Sequence, residues 1–494
     1  MGRKSQSKQN SNKNPGKENN KFILQKRKEL TVLVNKVLRL TSVFQASNNI
    51  TKSWEHHLEI DILIKEIINL EYPAIKTGQN RQANIDKYKE WLDANGAQYD
   101  GVEISEFKGY DLGLKATKPF QEGSLILTVP TKVMMTEKNA KESELSAFIA
   151  GDPLLQNMPN ITLALFLLLE KSNPDSFWKP YLDILPEKYS TILYFTLEEL
   201  LELKPSPVFE SSLKLYRSIA RQYAYFYNKI HTLDIPVLKK LHDIFSFDNY
   251  RWAVSTVMTR QNNIKLADSD VTAFIPLWDM CNHEHGKITT DFNKELSRGE
   301  CYALRDFQPQ EQIFIFYGAR SNADLFLHNG FVYPNNQYDS LSLSLGVSQN
   351  DPLRETKLSL LTKLGLSGVT HFSLYRGDNP VSAELLAFIR IFNMNQDELT
   401  NWSRRGLPGD LVSTDPSSVE AIGVEIDRRA YTYLLTRCNL IRAAYKSDDA
   451  DNQTDNLHKQ NIKLLKECEI QILQDAMKYL TKTISDLPSA KGDN

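Results

Sequence analysis

The sequence predicts an α+β protein: a β-rich core split by a helical insertion, followed by an all-helical C-terminal domain. Three observations predict this. Strand texture occurs twice, from about Glu103 and again from Val271 to about Val347. Between them, from about Glu137 to Arg260, apolar residues recur at three- and four-residue intervals. After Asp351 the helical pattern continues almost to the end, with no internal repeat. At 494 residues the chain exceeds what one core usually organises, so two or three domains are expected.

Residues 1–20, MGRKSQSKQNSNKNPGKENN, form a polar, basic stretch without the apolar segment of a secretory signal. A disordered solvated arm is expected, with a nuclear-import address as the other reading. Residues 21–102 are expected to be helical, with one helix at about Lys21–Leu40. A second falls in SWEHHLEIDILIKEIINL, where Leu58, Ile62 and Ile68 lie near helical spacing and Pro73 marks the end. The β-rich domain is expected over 103–347. YDLGLKATKPFQEGSLILTVP alternates and is punctuated by Gly113, Pro119 and Gly123, as short strands joined by turns. The helical insert, about 137–260, contains LALFLLLEK, LEELLEL, LYRSIARQYAYFYNKI and YRWAVSTVMTR; CYALRDFQPQEQIFIFYG then returns to strand. The C-terminal domain, 348–487, carries LLAFIRIF and IKLLKECEIQILQDAMKYL around a polar run, KSDDADNQTDN, and 488–494 form a tail.

Composition excludes several classes. Lys and Arg total 59 against 61 Asp and Glu, so there is no electrostatic case for a nucleic-acid binder. Cys281, Cys301, Cys438 and Cys468 are widely spaced and form no CxxC pair, which disfavours a disulfide framework or a zinc finger and favours a reducing compartment. The longest apolar stretch, Ile161–Leu169, is far short of the ~20 residues that span a bilayer. A soluble protein of the cytoplasm, or of cytoplasm and nucleus, is expected, with no membrane partner.

The densest polar cluster is FIPLWDMCNHEHG, Phe274–Gly286. On an extended strand Cys281, His283 and His285 would share a face, as zinc ligands can. No further ligand pair stands at a usual spacing, HEHG is not the HExxH motif, and Cys281 follows an apolar run, as a buried small hydrophobe does. No metal is expected. There is no GxSxG elbow for a hydrolase, and the GxG-like spacing at Gly109–Gly113 lacks the following helix of a dinucleotide fold.

Three segments resemble the SET-domain methyltransferases. DLGLKATKPFQEGSLILTVP is similar to the family's opening hairpin, PLWDMCNHEHG to its Asn-His motif through Asn282 and His283, and IFIFYG to its closing tyrosine motif through Tyr317. Their order resembles the subclass with a split SET fold and a helical substrate-binding domain, as in the Rubisco lysine methyltransferases. MTRQN, IPLWDMCNH, FYGARSNADLFLHNGF, EWLDANGA and SFWKPYLDILP narrow the resemblance to the actin-histidine methyltransferase family. Two positions depart from the pattern. Asp111 stands where the first glycine of GxG is usual, and Asn329 where the animal enzymes have serine.

The resemblance implies S-adenosylmethionine as cofactor and actin as protein substrate. Cofactor contacts are implied at Tyr110, Asp111 and Leu112, at Arg81 and Arg260 for the carboxylate, at Asp279, Met280, Cys281, Asn282 and His283, and at Asn329, Gly330 and Phe331. Substrate contacts are implied at Gln261, Asn262, Trp278, Ile315, Tyr317 and Arg320, with Tyr317 and Asn262 as the catalytic pair. Methyl transfer needs alignment and desolvation rather than a metal or a covalent nucleophile.

The choice of acceptor has a physical edge. A lysine is neutral in only about one molecule in 2,500 at pH 7, a deprotonation cost of roughly 4.6 kcal/mol, whereas a histidine is already about three-quarters neutral. A histidine methylase must instead fix the tautomer, and a neutral amide at Asn262 can accept the ring N–H without demanding a cation. The alternatives are a protein-lysine methyltransferase, or a SET-derived module that binds actin or another partner with little catalysis.

Overall fold

The computed structural model describes residues 15–43, 49–71, 81–266, 269–405, 409–414, 422–445 and 455–488. Of the expected arm, 1–14 lie outside them, as do 489–494 of the tail and most of the polar run KSDDADNQTDN. The first helix spans Pro15–Val43, so it begins inside the stretch expected to be a disordered arm. Proline suits a helix's first position, where its missing N–H has no partner to lose.

The strands are β1 (Val102–Phe107), β2 (Asp111–Ala116), β3 (Leu125–Pro130) and β4 (Met135–Thr136) before the insert. After it come β5 (Asn262–Leu266), β6 (Ser269–Phe274), β7 (Asn282–His283), β8 (Thr290–Asn293), β9 (Arg298–Tyr302) and β10 (Gln312–Ile315). They form three small sheets, in the orders β1-β2-β10-β7, β3-β9-β8 and β4-β6-β5. Each sheet joins a strand from before the insert to one from after it: β2 to β10, β3 to β9, β4 to β6. That pairing brings the opening hairpin and the Asn-His segment together across the long excursion from Glu137 to Arg260. Most contacts are antiparallel; β7 lies parallel to β10, with Asn282 opposite Phe314 and His283 opposite Ile315.

The insert folds as helices for legible reasons. Thr136 and Asn139 form a reciprocal capping box at its start. The helix Pro159–Ser172 is apolar all round, and Ile161 to Leu169 are all buried. The helix Phe247–Arg260 starts on Ser246, whose hydroxyl accepts the Asn249 N–H, and ends by delivering Arg260, Gln261 and Asn262 to the edge of β5.

The C-terminal region differs from the all-helical expectation. It is mostly helical but opens on an antiparallel pair, β11 (Ser340–Ser344) with β12 (His371–Tyr375). HFSLY buries alternate residues, Phe372 and Leu374, a period-two signal too short to stand out between helices. Leu341 and Leu343 of β11 already belong to the second hydrophobic core, so that core begins before the boundary expected at 348. The C-terminal helix Leu457–Asp486 belongs to both cores. Its Ile462, Leu465 and Cys468 pack into the first, and Ile472, Leu473, Ala476 and Leu480 into the second. Among the described residues no helix is long and apolar enough to cross a membrane.

Candidate active site

The site grows from four chain segments that the sheet pairings bring together. The first is the turn into β2. Asp111 has φ +61°, a left-handed backbone that favours glycine and that aspartate tolerates better than most residues. The departure from the usual glycine thus falls at a position whose backbone favours glycine. Its carboxylate pairs with Arg81, whose Nε donates to the Ile184 carbonyl at 2.7 Å. Tyr110 packs edge-on against Phe314 with ring centroids 5.6 Å apart, and Leu112 is buried.

Gly113 follows, and its missing side chain makes a cradle. A Cβ there would come 2.7 Å from Gln312 Nε2 and 3.0 Å from Asn282 Nδ2. Both amide nitrogens are buried and lack a hydrogen-bond partner among the described residues. Two unpartnered donors converging beside a backbone cradle suit an acceptor-rich ligand.

The second segment ends at Arg260. Its Nη1 donates to the Asp279 carbonyl at 2.9 Å and lies 3.3 Å from the Asp279 carboxylate, which is 1% exposed. Burial opposes the charge on Arg260, but Asp279 and the hydroxyls of Tyr189, Tyr181 and Tyr317 outweigh it and hold the guanidinium protonated. Burial likewise pushes Asp279 up, against the pull of Arg260 and a 2.5 Å hydrogen bond from Tyr181 Oη. Arg260 Nε and Asp279 Oδ1 are further buried atoms without a hydrogen-bond partner among the described residues. Just beyond, Asn262 Nδ2 donates to the Arg260 carbonyl at 3.1 Å. That bond uses one of the amide's two N–H groups and leaves its oxygen as an acceptor.

The third segment is the Asn-His motif. Leu277 is fully buried with φ +70°, and the Trp278 N–H donates to the Pro276 carbonyl across it at 2.9 Å. This is a strained three-residue turn, and it aims Trp278 and Asp279 into the site. The Trp278 ring lies over Gly299, where a Cβ would come 3.1 Å from it. Met280 and Cys281 are buried. His283 is buried too, which lowers its pKa to about 4. Its Nδ1 accepts the Tyr317 N–H at 3.2 Å, so it stands as a neutral ring that braces the tyrosine.

The fourth segment runs from Tyr317 to Phe331. Tyr317 Oη donates to the Cys281 carbonyl at 2.7 Å, and burial raises its pKa, so the phenol stays protonated. Arg320 Nη1 donates to Asn329 Oδ1 at 2.6 Å, which gives the second departure residue a contact of its own. Leu325–Asn329 form one turn of π-helix, ended by Gly330 at φ +77°. The Phe331 ring lies 6.0 Å from His283 and 6.2 Å from Tyr317 between centroids.

Gln261, Asn262, Trp278, Ile315, Tyr317 and Arg320, the residues expected on the substrate side, all line one cavity of about 1030 Å³. Arg260, Asp279, Cys281 and Asn329 line it as well. Arg81, Tyr110, Asp111, Leu112, Met280, Asn282, His283, Gly330 and Phe331 do not. Of these, His283 and Phe331 pack against Tyr317, which does line it. Sequence reasoning missed Tyr181, Tyr189 and Gln312. The two tyrosines sit in or just after SFWKPYLDILP, and nothing in their spacing separates them from core tyrosines.

Residues 111–318 match the SET domain family and 348–463 the Rubisco LSMT substrate-binding family. The actin-histidine N-methyltransferase of Xenopus tropicalis is 40% identical over 460 residues, covering 91% of this chain and 79% of that one. That of Gallus gallus is 40% identical over 451 residues, covering 88% and 76%. The fold is similar to that of Rubisco LSMT bound to AdoMet, with a TM-score of 0.68 at 21% identity over 83% of this chain and 94% of that one. The SET domain of LSMT bound to lysine and AdoHcy aligns with a TM-score of 0.67, also at 21% identity, over 82% and 93%. The chain thus belongs to the actin-histidine N-methyltransferase family of SET-domain methyltransferases.

Proposed function

We propose that this chain transfers a methyl group from S-adenosylmethionine to one ring nitrogen of a histidine of actin, with the activity in the cytoplasm. The observation that supports the reading is that Asn262, Tyr317, Trp278 and Ile315 all line one cavity. The relatives' shared name supports the same reading.

S-adenosylmethionine supplies an electrophilic methyl group on a sulfonium sulfur. The donors Asn282 Nδ2 and Gln312 Nε2 beside Gly113, unpartnered among the described residues, fit the carboxylate oxygens of its amino-acid end together with Arg81 and Arg260. Tyr110, Asp111 and Leu112 flank it on one side. Asp279, Met280, Cys281 and His283 flank it on the other, and Asn329, Gly330 and Phe331 close it.

Asn262 accepts the N–H of the substrate imidazole on the oxygen that its bond to Arg260 leaves free. The other ring nitrogen then presents its lone pair. Trp278 and Ile315 sandwich the ring and exclude water, and Gln261 and Arg320 hold the flanking peptide. Tyr317 spends its proton on Cys281, so its oxygen faces the site as an acceptor for the polarised methyl C–H groups. It aligns and does not act as a base. No carboxylate is required to deprotonate a group that is already mostly neutral. The C-terminal unit grips the protein substrate.

The test is methylation of an actin peptide by the purified chain, read by tandem mass spectrometry. A histidine peptide that gains one methyl group, with its His→Lys counterpart unmodified, supports the reading. Methylation of lysine with histidine untouched would replace it by the lysine reading. No donor binding and no turnover on either peptide would favour a binding module.

A further inference from the structure

The Gly330 carbonyl is held from two sides. Ser190 Oγ, in the insert, donates to it at 2.9 Å, and Asn461 Nδ2, on the C-terminal helix Leu457–Asp486, donates at 3.0 Å. Gly330 is also wedged: a Cβ there would come 2.7 Å from the backbone carbonyl carbon and the hydroxyl of Ser190. Asn461 is only 8% exposed on a helix face that otherwise buries Ile462 and Leu465 in the first core. A buried amide at such a position is costly unless it is paired.

The helix cannot easily slide or turn. Asn456 Nδ2 donates to Glu199 Oε1 at 2.8 Å, His458 Nδ1 lies 3.1 Å from Glu199 Oε2, and Lys459 Nζ donates to Glu202 at 2.7 Å. These ties to the insert fix the height at which Asn461 meets Gly330. The residues on either side of Gly330 both contact residues that line the cavity. Asn329 carries Arg320, and the Phe331 ring packs near His283 and Tyr317. A shift of this one carbonyl is therefore passed to both halves of the pocket.

We propose that Ser190 and Asn461 are positioning residues for the wall Asn329–Phe331, so that the C-terminal helix completes the methyl-donor pocket rather than serving only to grip substrate. The donor role of the wall rests on the function proposed above; the clamp itself does not. Losing one donor leaves the carbonyl half-held, and losing both leaves a buried acceptor unpaired, which loosens the wall.

The test uses the full chain with Ser190→Ala, Asn461→Leu and the double substitution. Amide hydrogen exchange of peptides spanning 325–333 is measured without ligand, and S-adenosylmethionine affinity by calorimetry. In the double variant, exchange in 325–333 is expected to rise about tenfold, the weight of one ordinary hydrogen bond, with peptides over β10 unchanged. Kd and KM for S-adenosylmethionine should rise by about the same factor while kcat at saturating donor changes little. Should the double variant not fold, Asn461→Leu alone should show the same split at smaller size. Wild-type exchange and affinity in a folded variant would overturn the proposal, and so would a general loss of protection with unchanged affinity. Local exchange that rises in a chain never binding S-adenosylmethionine would keep the clamp and remove the donor from the pocket.

Discussion

Replacing Arg260 by methionine isolates the electrostatics of the site. In the native chain the Asp279 carboxylate is 1% exposed, with Arg260 3.3 Å away and Tyr181 Oη at 2.5 Å. Methionine keeps much of the volume and removes the charge. Asp279 is then a buried carboxylate with one donor, and breaking such a pair costs about 3–5 kcal/mol. At roughly 2 °C per kcal/mol for a large cooperative unit, the melting temperature should fall by about 6–10 °C at pH 8. The loss should also depend on pH. Burial already raises the Asp279 pKa, and removing Arg260 takes away the main opposing charge. A carboxyl whose folded pKa lies above its unfolded value contributes stability that is present in acid and lost as pH rises through the folded pKa. The difference between variant and wild type should therefore shrink between pH 8 and pH 5. The assay is thermal unfolding by circular dichroism at several pH values. A melting temperature within about 1–2 °C of wild type at pH 8, or a loss equal at both pH values, would mean that Arg260 does not hold Asp279 charged.

Asn262→Ala removes the proposed acceptor for the imidazole N–H and should lower kcat/KM on a histidine peptide by about 10–100-fold, with melting almost unchanged. Gly113→Ala pushes a methyl group against Asn282 and Gln312; overpacking of about 1–3 kcal/mol should appear as weaker S-adenosylmethionine binding by calorimetry. Glu469, buried between Ser206 and Tyr445, has its pKa raised to about 7 by burial. That raised value means stability is lost as pH climbs from the unfolded carboxyl pKa toward 7, by about 3 kcal/mol in all. Glu469→Gln should flatten this slope in melting experiments and leave the variant the more stable chain above pH 7.

Much of this was legible because the signals were local. The apolar period from Glu137 to Arg260 comes from helices that pack on one another, and the Asn-His and tyrosine motifs sit on β7 and just after β10. What escaped was long-range or conformational. Nothing along the chain says that Asp111 would hold a left-handed backbone, or that Tyr181 would reach Asp279 across the fold. β12 is too short for its alternation to outweigh the surrounding helices. The C-terminal helix reads as amphipathic, and the division of its apolar residues between two cores appears only once the chain is folded.

In the proposed function two β-rich segments close around a methyl donor and leave a slot for a neutral imidazole. Tandem mass spectrometry of actin from cells that lack this chain tests it most directly. One actin histidine should lose its methyl group and regain it when the chain is restored, but not when Asn262→Ala is restored at the same level. Actin whose histidine methylation is the same with and without the chain would contradict the account.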